Sequence, residues 1–233
     1  DLSIVDVPAP ARAPGFVLVN NRASVISSGT ERSTVRAAQA SLVGKARQRP
    51  DKVQQVLQNV RKEGVLATLN KVREKLDQPK ELGYSSAGVV LQADAEEARF
   101  RTGDRVACGG ADFAVHAEVV VVPRNLVVPL PGAVSFEEGA FATIGAIALQ
   151  GLRRSQAQLG DRVLVIGLGL IGQLAWQLAA DAGCTVIGTD ISPQAVSTAK
   201  ALGLSQAYVR GAEDVEGACR ELSDGNGVDA VLI

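Results

Sequence analysis

The run Val163-Leu-Val-Ile166-Gly167-Leu-Gly169-Leu-Ile-Gly172 decides how this chain folds. Four apolar, mostly β-branched residues lead into three glycines, and an apolar segment of helical character continues to Ala182. Val163 to Ala180 carries only two polar side chains, Gln173 and Gln177, and so imitates a membrane span. The three glycines interrupt it and Asp161 and Asp181 flank it, which makes strand, turn and helix the better reading. Gly167 permits the tight turn, Gly169 keeps the backbone clear for a pyrophosphate, and Gly172 lets the helix pack close to the strand. The helix N-terminus adds free N–H groups and a partial positive charge. Gly167, Leu168, Gly169, Leu170, Ile171 and Gly172 are therefore the expected phosphate-binding residues.

The next strand, 185–189, ends on Asp190, 18 residues past Gly172. A carboxylate there accepts hydrogen bonds from the ribose hydroxyls of an adenosine, with Ile191 beside it. A 2′-phosphate would meet like charge, and no Lys or Arg follows before Lys200, so NAD is expected rather than NADP.

Around this unit the pattern alternates: strand 162–166, helix 170–182, strand 185–189, helix 193–202, strand 206–209, helix 212–223 and strand 228–233. Alternation at this spacing predicts a doubly wound parallel sheet. The preceding part reads differently. Strands are expected at 15–26, 87–92, 104–107, 116–122 and 125–130, with turns at Thr102-Gly103 and Pro131-Gly132, then a helix from about Phe136 to Arg154. Between them, 31–80 has apolar residues at helical spacing (Val53, Val56, Leu57, Val60; Leu66, Leu69, Val72, Leu76) and reads as a helical insert. The expected division is 1–126, β-rich with the insert 31–80, and 127–233, α/β.

With 233 residues, 46% hydrophobic and 21% charged, the chain can bury a sizeable core and is neither disordered nor fibrous. A net charge of −1 gives no general case for a nucleic-acid or membrane partner. Three scattered cysteines, Cys108, Cys184 and Cys219, make no disulfide framework, so a reducing, cytoplasmic compartment is expected. No signal peptide is expected at Asp1, since no basic segment there precedes a long apolar one. A start at Asp1, the lack of any Met and a last apolar run ending at Ile233 read as a piece of a longer chain. The insert is basic, with twelve Lys or Arg against five acidic residues. A solvated helix face explains that excess; attraction of an anionic substrate is the sharper alternative. Nucleic acid fits least, because no aromatic residue lies between Arg32 and Lys80.

Two Gly-Asp-Arg-Val turns (103–106 and 160–163), Ser28-Gly-Thr-Glu31, Gly83-Tyr-Ser-Ser-Ala-Gly88 and the glycine-rich unit together resemble the medium-chain dehydrogenase/reductase superfamily. That resemblance implies an α/β chain with a β-rich part: a GroES-like catalytic domain carrying the insert, plus a partial Rossmann doubly wound sheet. Residues 44–53, 82–90 and 141–151 are similar to the dehydrogenase half of two-part oxidoreductases. In these, a second, Gfo/Idh/MocA-type domain would lie beyond Ile233. The resemblance implies hydride transfer between NAD and a hydroxyl or carbonyl carbon of a small molecule, a sugar-derived one in that group. A homo-oligomer is compatible with it.

The chain departs from the zinc-dependent relatives at each ligand place. Ser28 stands for a Cys, Tyr84-Ser85 for His-Glu, and about Thr143 for a Cys or Glu; the four-Cys structural lobe has no counterpart. Zinc takes thiolate, imidazole or carboxylate ligands, so no metal is expected. Without it the site needs another proton donor. Tyr84 is the first candidate as acid/base, and the resemblance makes Thr30 a hydroxyl relay. Filling the space left by the metal explains Tyr84 equally well. His116, the only histidine in the sequence, is a further catalytic candidate because imidazole titrates near neutral pH, although packing is the commoner role of a lone His. Two other readings stand beside an NAD-dependent oxidoreductase: an NAD-binding module without catalysis that supports a fused partner, and a zinc polyol dehydrogenase with displaced ligands.

Overall fold

The computed structural model describes residues 2–39, 81–94 and 99–233. Two sheets organise them. The first is a five-stranded antiparallel sheet in the order β4-β1-β2-β3-β5, from β1 (Phe16–Ser24), β2 (Ser85–Gln92), β3 (Arg105–Gly109), β4 (Val119–Pro123) and β5 (Val127–Pro129). The second is a four-stranded parallel sheet, β8-β7-β6-β9, from β6 (Arg162–Ile166), β7 (Thr185–Asp190), β8 (Ala207–Val209) and β9 (Ala230–Leu232). That order places sequential strands outward from β6 on one side and returns to β9 on the other. The reversal at β6 leaves the crevice in which doubly wound sheets bind ligands.

Alternation along β1 places Val17 and Val19 in a core with Val90, Val106, Val120 and Val122. Each fully buried valine stabilises this sheet by roughly 1.5–3 kcal/mol relative to exposure. A second core joins Val163 and Val165 of β6 to Trp176, Val186, Leu204 and Ala207. A third, small cluster bridges the two sheets. Val25, Ala87, Ala140 and Ile144 are buried in it, and Tyr84, Leu170 and Leu174 pack against them.

Several expectations need correction. Val127–Pro129, expected in the second part, pairs with β3 in the first sheet. The expected strand 125–130 begins as a 3-10 turn, Arg124–Leu126. The expected helix 136–154 is two helices, α2 (Phe136–Gly139) and α3 (Ala142–Ser155). Ser135 starts the first with a reciprocal capping box to Glu138, and the Ala140 carbonyl between the two accepts the Ser85 hydroxyl. Gly139 packs so closely on Leu130 that a Cβ would come within 2.7 Å of its side chain. His116 does not enter a strand: β4 begins at Val119, because the His116 N–H donates to the Leu82 carbonyl at 2.8 Å. Of the insert, α1 (Ser28–Gln39) is described; the helices and basic residues expected over 40–80 lie outside the described residues. The remaining helices are α4 (Leu170–Asp181), α5 (Pro193–Ala201) and α6 (Val215–Glu221). The last starts later than expected because Asp214 caps it, accepting from the Gly217 N–H at 2.8 Å. Among the described residues no helix is long and apolar enough to cross a membrane.

Candidate active site

The turn between β6 and α4 is shaped by its glycines. Gly167 has φ +97°, in the left-handed region, and its N–H donates to the Thr189 carbonyl at 2.7 Å. A Cβ on Gly172 would lie 1.8 Å from the Gly167 carbonyl oxygen, so no side chain fits there. A Cβ on Gly169 would meet nothing within 4 Å, which leaves the backbone open on that side. Gly169 is the N-cap of α4 and supplies no side-chain cap. The first N–H groups of a twelve-residue helix are thus available to an anion. A pyrophosphate fits this cradle by charge and by space.

Asp190 is fixed to the same turn. Its Oδ2 accepts the Leu168 N–H and its Oδ1 the Ser192 N–H, both at 2.7 Å. A carboxylate has about four acceptor positions, so two remain for ribose hydroxyls. Ile171 and Ile191 stand exposed near the cradle, the latter at 78%. Leu168, expected among the ligand-binding residues, turns its side chain into the core and spends its N–H on Asp190. Its part is to hold the loop. Leu170 likewise packs inward, against the cluster that joins the sheets.

Two residues here escaped sequence reasoning. Gln173 donates to the carbonyls of Leu168 (2.9 Å) and Ala195 (3.3 Å) and accepts from the Trp176 indole (2.8 Å), clamping the turn to α5. A polar residue inside an otherwise apolar helix was the available signal. Arg210, exposed at the end of β8, donates its N–H to the Asp190 carbonyl at 2.9 Å. Its backbone thus adjoins that of Asp190 from 20 residues away, which no local reading of the sequence could supply.

Tyr84, Thr30 and His116 come from three segments at the end of the first sheet. The Tyr84 ring packs on the cluster that includes Leu170 and Leu174, and its hydroxyl has no hydrogen-bond partner among the described residues. Thr30 lies in the first turn of α1, exposed, with its Oγ1 accepting from Ser27 Oγ at 3.3 Å. His116 has both ring nitrogens engaged: Nδ1 with Ser24 Oγ at 2.9 Å and Nε2 with Glu31 Oε1 at 3.1 Å. Expected as a catalytic candidate, it presents no uncommitted nitrogen to a substrate.

The residues at the ligand places do not suit zinc. Ser28 is exposed, Tyr84 carries a phenol, and Thr143 donates to the Cys108 carbonyl at 3.4 Å. Neutral hydroxyls are poor donors to this ion. The neighbouring Cys108 is no substitute, because burial pushes its thiol up to about 12, and the thiolate is the ligand form. Among the described residues, no three His, Cys, Asp or Glu side chains converge.

Comparison with known proteins gives concordant matches. Residues 171–233 match the family model described as zinc-binding dehydrogenase. An uncharacterized zinc-type alcohol dehydrogenase-like protein of Escherichia coli is 34% identical over 143 residues, 57% of this chain and 40% of that protein. A quinone oxidoreductase of Pseudomonas aeruginosa is 31% identical over 150 residues, 63% of this chain and 46% of that protein. The crystallised quinone oxidoreductase of Coxiella burnetii superposes with TM-score 0.69 at 26% identity, over 98% of this chain and 62% of that one. The chain thus spans under half the length of the two curated relatives.

Proposed function

We propose that the chain belongs to the medium-chain dehydrogenase/reductase superfamily and is the cofactor-binding and catalytic portion of an NAD-dependent, zinc-independent oxidoreductase, a reading supported by its likeness to the zinc-binding dehydrogenase model and to the quinone oxidoreductases. The observation that carries this reading is the glycine cradle with Asp190 locked across it by the Leu168 N–H. NAD, when bound, supplies a carrier for hydride to or from a carbon bearing a hydroxyl or carbonyl oxygen. The chain's own groups do the rest. Gly169 and the first turn of α4 hold the pyrophosphate, and Asp190 accepts from the ribose hydroxyls. Tyr84, packed on the cluster that joins the two sheets, takes or gives the proton of the substrate oxygen. Thr30 relays a proton from the substrate toward the cofactor ribose. Leu170 and Leu174, packed on the same buried cluster as Tyr84, make that side apolar.

The test uses the complete protein dialysed against a chelator. NADH formation is followed with secondary alcohols, polyols and sugar derivatives, and NADH consumption with the matching carbonyls and with quinones. The expected result is turnover at undiminished rate with zinc far below one per chain. Activity that returns only with added zinc would overturn the metal-free reading. NAD(H) turnover with none of these substrates would overturn the oxidoreductase.

A further inference from the structure

We infer that His116 is a positioning residue: it braces the Thr30 turn and the Tyr84 loop at a fixed separation through Glu31, Ser24 and Gly83. The inference rests on the proposed roles of Tyr84 and Thr30. It moves His116 out of the reacting centre and recruits Glu31, Ser24 and Gly83, which that proposal leaves without a task.

Four segments meet at this one imidazole. Nδ1 reaches Ser24 Oγ at the end of β1, and Nε2 reaches Glu31 Oε1 in the first turn of α1. The His116 N–H donates to Leu82, two residues before Tyr84. The ring lies directly over Gly83, where a Cβ would sit 2.9 Å from Nδ1 and 2.8 Å from the backbone nitrogen. Gly83 also has φ +98°, in the left-handed region. Both considerations require glycine beside Tyr84.

The chain of contacts continues into the Thr30 turn. Glu31 Oε1 accepts the Ser27 N–H at 3.0 Å as well as His116, and Ser27 Oγ donates to Thr30 Oγ1 at 3.3 Å. An acceptor-only carboxylate at Nε2 places the ring proton there in the neutral imidazole, and Nδ1 then accepts from the Ser24 hydroxyl. Glu31 is the charged group that faces His116 among the described residues; β1 and the 82–84 loop present a serine and a glycine. Glu31 is largely shielded, its side chain 13% exposed, so the contact is held in a partly dehydrated position. The distance between Thr30 and Tyr84 is therefore set by one ring with two committed nitrogens. A misplacement of about 1 Å in a catalytic constellation can cost ~10²-fold in rate.

The test compares His116→Asn, Glu31→Ala, Glu31→Gln and Gly83→Ala in the complete protein. One readout is kcat against KM and NADH affinity. The other is the Tyr84 resonance in ¹³C-tyrosine-labelled protein, assigned with Tyr84→Phe and compared with Tyr208. His116→Asn and Glu31→Ala should lower kcat by about 10–100-fold with NADH affinity unchanged, and should shift Tyr84 but not Tyr208. Glu31→Gln should restore most of the rate, because its amide oxygen accepts the same two N–H bonds. Gly83→Ala, whose Cβ would press on both the ring and the backbone nitrogen of His116 at a left-handed position, should behave like His116→Asn. An unmoved Tyr84 resonance in both His116→Asn and Glu31→Ala would overturn the brace, as would a lowered melting temperature with unchanged kcat. Wild-type kcat in Tyr84→Phe would instead overturn the proposed role of Tyr84, and the resonance would still decide the brace.

Discussion

At the β6–α4 turn, the proposed ligand cradle is made of backbone. Gly167, Gly169 and Gly172 contribute no side chain, and Asp190 reaches the turn through the Leu168 N–H. At the end of the first sheet, the proposed cleft is held by side chains of β1 and α1 and by the backbone of the 82–84 loop, all meeting at His116 in the segment before β4. The first region is therefore fixed by sterics within about 25 consecutive residues. The second is fixed by hydrogen bonds between residues as much as 92 apart. Substitutions in the cradle should fail by collision and act on cofactor affinity. Substitutions in the cleft should fail by lost alignment and act on turnover.

The contrast is tested most strongly at Tyr84. Tyr84→Phe keeps the ring on its apolar cluster and removes the hydroxyl, so kcat should fall by about 10²–10⁴ while NADH affinity and melting temperature hold. A nearly silent Phe variant with a destabilised Tyr84→Ala would mean that the ring only fills space. The cradle should show the opposite profile. Gly172→Ala sets a methyl 1.8 Å from a backbone oxygen that cannot swing away. Overpacking of this kind costs about 1–3 kcal/mol of stability, visible as a lowered melting temperature. Cofactor affinity should drop about a hundredfold, equivalent to about 2.7 kcal/mol, in a fluorescence titration with NADH.

The strand, turn and helix of 162–181 were legible in the sequence because their causes are local. Strand β6 and the start of α4 follow from the apolar run and the glycine spacing, and the parallel order follows from the alternation of elements. The break between α2 and α3 was not legible, since it depends on Ser85 reaching the Ala140 carbonyl from 55 residues away. Nor was the engagement of both His116 nitrogens, which needs the fold to bring Ser24 and Glu31 to it. Arg210 escaped for the same reason: β8 pairs beside β7, which sets it next to Asp190. The burial of Leu168 was not legible either, because it depends on packing against Gly188.

Arg210 also refines cofactor choice. Asp190→Ser removes the charge that repels a 2′-phosphate and leaves the Arg210 cation in place. NADPH affinity should rise about tenfold, a change of about 1.4 kcal/mol. Adding Arg210→Ala should abolish that gain. Calorimetric titration of the two variants checks both steps, and a gain that survives the loss of Arg210 would mean another cation serves the site.

The smallest effect expected is on alkaline stability. Burial raises the Cys108 thiol from its ordinary value near 9 to about 12 in the folded protein. Between those values the unfolded chain loses a proton that the folded chain keeps, so this group's contribution to stability falls as pH rises from about 9 to 12. Cys108→Ala should flatten that part of the pH dependence in chemical denaturation. Cys108 should also resist alkylation by iodoacetamide at pH 9 until the protein unfolds.

The most direct measurement is a paired calorimetric titration of the complete wild-type protein with NADH and NADPH at one ionic strength. The cradle and the Asp190 carboxylate predict one site per chain, with NADH bound at least about tenfold more tightly, as like-charge repulsion at the ribose requires. Equal affinities, a preference for NADPH, or no binding of either would contradict the account.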